Sequence, residues 1–562
     1  MNKIFNFASI LLTGVVLITT ASCSDPDDEI TNVSFDRLLR PTELELKIYD
    51  KTNIKATMDF VNVPDFLDIL IEVNDNPLSE NKEYKEYRRV TLQPRDYLSS
   101  TKDATLSAAN THATFIDSIR NLSYFKDYRV SFIARNSDDK VSNPSTEVAT
   151  TDGIFKESTD DDRTNNSLTV KWPSEVFVTK VKTMKMNGDT EELVAEDLIE
   201  DATKGKFTKT GLDPDTEYIF YIYNGDDCQG RTTITTFPNY TELFAGAKSS
   251  EVKDAIDNLP DGYALMLSPS DESNVFIFRN AEEAQTSFTY TLDNGRSLRI
   301  FARDTKPVEV QQMMFKLDNS AGLTIENIKF VGQQGAGDFI QVQNGGITGE
   351  YKFINLEVEK YKNFFYDNKT VEAMTANLLQ VKNCFFHDAI SGGCVIDIRK
   401  MLTFAKVEII QNTFANMTSV TNFFRCDYNS GNTKPSVENM LIENNSFYNV
   451  KVSNKGLTYI RSKSADNVDF KCDINNNIFE GCKDTYFSQD SKTNGLAFSD
   501  NYYKNSDALT TAFSIGQTAY DPSPNSYTGT SAFKNPDKND FTVKNTTLVN
   551  AGVGNSEFVV KE

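Results

Sequence analysis

The sequence predicts an all-β chain: two β-sandwiches followed by a right-handed parallel β-helix that makes up the C-terminal half. Three observations carry that reading. Short runs of alternating apolar and polar residues, closed by polar turns, run from about residue 40 to 237, and period-two alternation marks strands with one face in a core. Beyond residue 239 an Asn-centred block returns about every 28 residues, a spacing that belongs to solenoids. Amphipathic helical spacing is confined to one short stretch after residue 248.

Bulk properties bound the function. A chain of 562 residues needs several domains. The formal net charge of −22 excludes nucleic acid as a partner, because phosphate binding needs clustered Lys and Arg. Seven Cys occur, and beyond Cys23 they are the scattered Cys228, Cys384, Cys394, Cys426, Cys472 and Cys482, with no CxxC pair. Only two His, His112 and His387, are present, which argues against His-based metal sites and Ser–His catalysis; His387 reads as a loop or core residue.

Residues 1–23 have the layout of an export signal: Lys3, an apolar stretch from Ile10 to Ile18, then Ala21 and Ser22 before Cys23. The stretch is too short to span a bilayer. The TASC tail (20–23) resembles a lipobox with Thr20 in place of the usual Leu. The acidic SDPDDE that opens the linker 24–39 resembles the surface-export signal of Bacteroidota-type lipoproteins. That resemblance implies lipidation of Cys23 and an outer-membrane protein held by its acyl chains and facing the cell exterior.

The first sandwich is expected over 40–151, with ELELKIY, DILIEV and YRVSFIAR as strands. The run LSYFKDYRVSFIARN (122–136), followed by SNPS (142–145), resembles the last two strands of fibronectin type III modules. The second sandwich spans 158–237. There SLTVKW (167–172) supplies a core Trp172, and GLDPDTEYIFYIYN (211–224) looks like the corner and following strand of the same module, with Tyr218 as the corner tyrosine.

The repeat extends over 239–562. Its blocks centre on Asn327, Asn355, Asn383, Asn412, Asn445, Asn477 and Asn501, at steps of 28, 28, 29, 33, 32 and 24 residues. An aromatic follows two places later at Phe385, Phe414, Phe447, Phe479 and Tyr503. Each block is read as one coil, whose Asn turns the chain in the left-handed region and bonds its counterpart in the next coil. The segment SSEVKDAIDNLPDGYALML (249–267) predicts a short helix, a turn and a strand that together cap the N-terminal end. At the other end SAFKNPDKNDFTVKNTTLVNAG (531–552) resembles the closing segment of pectate-lyase-like β-helix proteins. The whole arrangement is similar to the β-helix surface lipoproteins of glycan-utilising Bacteroidota.

Aligning FYDN (365–368), IDIR (396–399), FRCD (424–427), IRSK (460–463) and FSQD (487–490) puts Phe365, Ile396, Phe424, Ile460 and Phe487 inward. Two outward rows follow: Tyr366, Asp397, Arg425, Arg461, Ser488, and Asn368, Arg399, Asp427, Lys463, Asp490. This face is a candidate polysaccharide surface, with Asp397, Arg399, Arg425, Asp427, Arg461 and Lys463 toward a uronic-acid polymer. Tyr366, Tyr428 and Tyr459 offer stacking faces. Lyase chemistry on the same face would call for Ca²⁺, with Asp397, Asp427 and Asp490 as oxygen donors, and for an Arg or Lys base; otherwise no cofactor is expected. The pectate-lyase signatures around the catalytic Arg and the Ca²⁺-binding Asp are not recognisable. A salt-bridge ladder, two hydrolytic carboxylates, or a scaffold for other surface glycan-uptake proteins are the remaining readings of these charges.

Overall fold

The computed structural model describes residues 42–555 apart from 62–65, 75–86, 93–109, 120–121, 202–203, 279–287, 333–336, 427–435, 454–455, 461–470, 490–494, 511–517 and 528–529 and the single positions 137, 139, 189, 368, 391, 419 and 484. The signal segment and Cys23 therefore lie outside the described residues, and no described helix is long and apolar enough to cross a membrane. Two compact units divide the chain. One comprises the residues up to Ile154 with Asp226–Arg231, and the other Phe155–Gly225 with Thr232 onward.

In the first unit alternation produces seven strands in two antiparallel sheets. Thr42–Asp50, Asn53–Val61 and Asn110–Ile119 form one, and Tyr87–Leu92, Phe66–Asn74, Asp127–Asn136 and Ser145–Thr150 the other, in those spatial orders. Their inward residues Ile54, Ile71, Val73, Tyr128, Val130 and Phe132 make the core. The Tyr128 hydroxyl accepts the Ser123 N–H at 2.8 Å, which pins the corner before the strand it opens.

The second sandwich repeats this plan. Thr190–Leu198, Lys180–Asn187 and Glu217–Asn224 are successive neighbours in its larger sheet, and Lys206–Thr210 pairs with Ser167–Lys171 in the smaller. Tyr218 accepts the Asp213 N–H at 2.9 Å, and Trp172 is fully buried. Both sandwiches are fibronectin type III-like, the first despite having no core Trp.

From Tyr240 onward the chain winds into a parallel β-solenoid. Among the described residues two walls hold ten strands each and a third holds nine, and every neighbouring pair is parallel until the last strand of the third wall. One inward column of the first wall runs Ile325, Phe353, Val381, Ile409, Ile442, Ile474. In the second wall Phe386, Phe414, Phe447, Phe479 and Tyr503 stack with ring centroids 4.7–5.1 Å apart and planes within 16°, close to the strand spacing. Phe385, expected in this column, points outward instead, and Phe386 takes its place.

The corners explain that one-residue difference. Left-handed residues precede the second wall at Asn327, Asn355, Asn383, Gln411, Asn444, Asn476 and Asp500, and follow it at Lys360, Asp388, Asn416, Asn449, Gly481 and Asn505. From Asn355 onward the two corners of every coil are five residues apart. The fourth block thus turns at Gln411, not at Asn412, and the apparent 29-residue step is a 28-residue coil. Asn412, Asn445, Asn477 and Asn501 occupy the next position and are fully buried. There the side-chain oxygens of Asn445, Asn477 and Asn501 accept the backbone and side-chain N–H of the Asn one coil earlier, as from Asn412 to Asn445 at 2.8 and 3.0 Å, while that of Asn412 accepts the Cys384 N–H at 2.9 Å. Each Nδ2 also donates to a carbonyl of the first wall, as Asn445 does to Ile409 at 2.8 Å.

The predicted helix forms at Ser249–Asp257, and its Val252 and Ile256 plug the open end of the solenoid core. The C-terminal segment does not close the opposite end. Its hairpin Phe533–Asn535 and Asp540–Val543 and the helix Thr546–Ala551 pack on the outer face of the second wall, against Phe385, Ala415 and Ile478. The Glu480 carboxylate holds that clasp by accepting the Tyr527 hydroxyl and the Ala532 N–H, both at 2.7 Å.

Polar contacts tie the second sandwich to the solenoid. Arg299 meets Asp215 and Glu326, each at 2.8 Å. Arg163 and Arg303 lie 4.4 and 5.5 Å from the Phe237 ring centroid. Asp160 accepts the Asp304 N–H at 2.5 Å, and burial together with the Asp160 charge raises the Asp304 pKa.

Candidate functional site

The outward column of the third wall runs Gln341, Tyr366, Asp397, Arg425, Tyr459. Sequence alignment correctly makes neighbours of Tyr366, Asp397 and Arg425, but one coil is shifted by two residues. Thr458, not Ile460, pairs with Phe424, so Tyr459 stands where Arg461 was expected. The shift arises between the second and third walls, since Phe414 still pairs with Phe447 while Phe424 pairs with Thr458, and the inward pattern does not fix the length of that turn; a two-residue slip keeps the same faces. Asp427, Arg461, Lys463 and Asp490 lie outside the described residues, as do Asn368 and Tyr428.

Asp397 points away from the core and is nonetheless fully buried. Arg399 returns from the turn after the strand and covers it with a two-point fork, Nε to Oδ1 at 2.5 Å and Nη2 to Oδ2. Arg425 Nε lies 3.9 Å from the same carboxylate, and Asn422 Nδ2 donates to it at 3.5 Å. The hydrogen bond to Asp397, working against burial, raises the Arg399 pKa further. Arg399 is therefore a poor proton acceptor, and both Asp397 oxygens are engaged before any metal arrives.

Each arginine faces a tyrosine. The Arg399 guanidinium carbon lies 5.3 Å from the Tyr366 ring centroid, and that of Arg425 5.7 Å from Tyr459. Such distances allow a cation–π attraction. A strip four coils long thus carries ring, buried acid with its arginine cover, arginine, ring. Beside it Asp338, Asn363, Cys394 and Asn422 form a polar row, in which Asn363 accepts the Cys394 N–H at 2.8 Å.

A second cluster occupies the outer face of the second wall. Glu357 and Glu359 project from one strand, and His387 lies directly beside Glu359 in the next coil. His387 Nε2 is 3.2 Å from Glu357 and Nδ1 is 2.8 Å from Asp388. The hydrogen bond from His387, opposed by burial and aided by Lys329, lowers the Glu357 pKa to about 2. Burial opposes protonation of His387, but Glu357 and Asp388 raise its pKa overall. The sequence reading of His387 as a loop or core residue thus changes: the ring sits on a strand, faces outward and is enclosed by carboxylates. The available signal was the 28-residue offset between Glu359 and His387, which is one coil.

No disulfide joins the six described cysteines, of which five are buried. Burial pushes the Cys384 and Cys482 thiols up to about 12, which makes them poor nucleophiles.

Comparison with known proteins adds little chemistry. A family model described as a domain of unknown function, DUF5123, matches residues 440–557. No curated protein matches the chain. Solved structures similar to it include a two-domain fibronectin type III segment from chicken tenascin, at 20% identity, covering 34% of this chain and 97% of that one, with a TM-score of 0.20. Another is the FN1–FN3 segment of chicken CNTN1, at 15% identity, covering 36% of this chain and 68% of that one, with a TM-score of 0.15.

Proposed function

We propose that the third wall of the solenoid recognises a polysaccharide, in particular a uronic-acid polymer, and that the chain does so as a surface lipoprotein of the Bacteroidota type. The observation that carries this reading is the strip from Tyr366 to Tyr459, where two arginine–tyrosine pairs flank one buried aspartate. The partly exposed Tyr366 ring suits a sugar ring, whereas Tyr459 is buried and backs Arg425; guanidiniums suit sugar carboxylates, and Asp397 restricts Arg399 before a ligand binds. Acyl chains on Cys23 would hold the protein in the outer membrane facing outward, with the sandwiches as spacers and other glycan-uptake proteins as partners. Binding is preferred to elimination chemistry because Arg399 holds its proton firmly and Asp397 is already engaged. A pectate-lyase-like right-handed helix with Ca²⁺ is the reading in which these roles would be reversed.

Affinity electrophoresis in gels containing polygalacturonate, alginate or a neutral glucan tests the proposal. Retardation by a polyuronate is expected, with at least tenfold weaker retention for the Arg425→Ala/Tyr459→Ala double variant. Equal migration in every gel, or unchanged retention of the double variant, removes this wall from consideration. Unsaturated product absorbing in the ultraviolet would replace binding with lyase activity.

A further inference from the structure

We propose that Glu357, Glu359 and His387 form a site for a divalent transition-metal ion of the zinc class. The inference is independent of the glycan reading, since these residues lie on the second wall and not on the third. One ligand atom from each residue lies within 4.8 Å of those from the other two. His387 Nε2 and Glu357 Oε1 are 3.2 Å apart, the separation of two donors that share an ion at about 2.0–2.1 Å. Glu359 Oε2 faces the other ring nitrogen, 3.6 Å from Nδ1, so its carboxylate must rotate on its stem to join an ion held by Nε2 and Glu357.

The surroundings favour a cation. Glu309, Glu357, Glu359 and Asp388 bring four negative charges, while Lys329 and Lys360 bring two positive ones, at 2.8 Å from Glu357 and 3.0 Å from Glu359. A doubly charged ion would balance the remainder. The imidazole is held by packing: it stacks on Phe385 with centroids 4.3 Å apart, and the clasp residue Phe541 lies 5.5 Å from the Phe385 ring. Three protein donors match the donor number of an open zinc site, and mixed imidazole–carboxylate donors select transition ions over Ca²⁺ and Mg²⁺.

The test uses the whole chain, stripped with EDTA, with Cys228→Ser to remove the half-buried thiol. Titration calorimetry with Zn²⁺ is expected to show one equivalent bound at micromolar affinity, and Co²⁺ an absorption spectrum without thiolate charge transfer. Glu357→Gln and Glu359→Gln, which preserve shape, should each weaken binding at least tenfold while circular dichroism stays unchanged. His387→Gln should do the same if it folds, and the two glutamine variants decide the matter if it does not. Absence of Zn²⁺ heat and of a Co²⁺ spectrum in the parent chain overturns the proposal. So does an affinity that changes less than threefold in both glutamine variants.

Discussion

Asp397 shows how much one side chain can decide. Period-two alternation in IDIR identifies it as outward, and outward acids are normally solvated. Its burial comes from Arg399, which folds back from a turn, and from Arg425 on the next coil. No spacing rule encodes that cover, because it depends on rotamers and not on strand register. Asp397→Asn would leave two guanidiniums over a neutral amide. The expected loss is about 2 kcal/mol of unfolding free energy, below the usual cost of breaking a buried pair, because Arg399 keeps partial contact with water. Urea denaturation reads this directly, and a loss under about 0.5 kcal/mol would mean that the fork contributes little in solution.

The corner between the first and second walls was the most legible element and also the one misread by a single residue. Asn at 383 and Asn at 412 look equivalent in sequence, yet the first turns the chain in the left-handed region and the second fills a buried ladder. Both roles suit Asn, since its amide tolerates the strained backbone and can donate and accept at once. Neighbouring positions should therefore respond differently. Asn445→Ala removes the acceptor of the Asn412 N–H groups and should cost about 3 kcal/mol. Asn444→Gly keeps the φ of 55° accessible and should stay within about 0.5 kcal/mol of the parent. Equal losses in thermal melts of the two variants would contradict the division of labour.

At the scale of the molecule, strand order was readable from short alternating runs and a coil period, because those patterns record which faces are buried. The position of the C-terminal clasp was not readable: Phe533, Phe541 and Leu548 signal burial without naming the wall they cover. The joint between the second sandwich and the solenoid was equally silent, since Asp160 and Asp304 are 144 positions apart. That pair gives a pH prediction. Asp304 has a raised folded pKa, so its favourable contribution is complete below the unfolded value of 3.8 and is lost as pH rises through the folded value. Asp304→Asn should therefore be more stable than the parent at pH 7, by about 0.5 kcal/mol of unfolding free energy because water screens the site. The advantage should vanish toward pH 4 in scanning calorimetry. A gap that is constant with pH would assign the effect to packing instead.

The constant five-residue span between paired corners constrains how such a chain can diverge. Coils of 24 and 33 residues coexist because every difference in length is taken up elsewhere in the turn. Insertions and deletions can accumulate along the rim next to Arg425 and Tyr459 without displacing a single ring of the aromatic stack. Descendants of one ancestral gene would thus vary along that rim while inheriting the same spine.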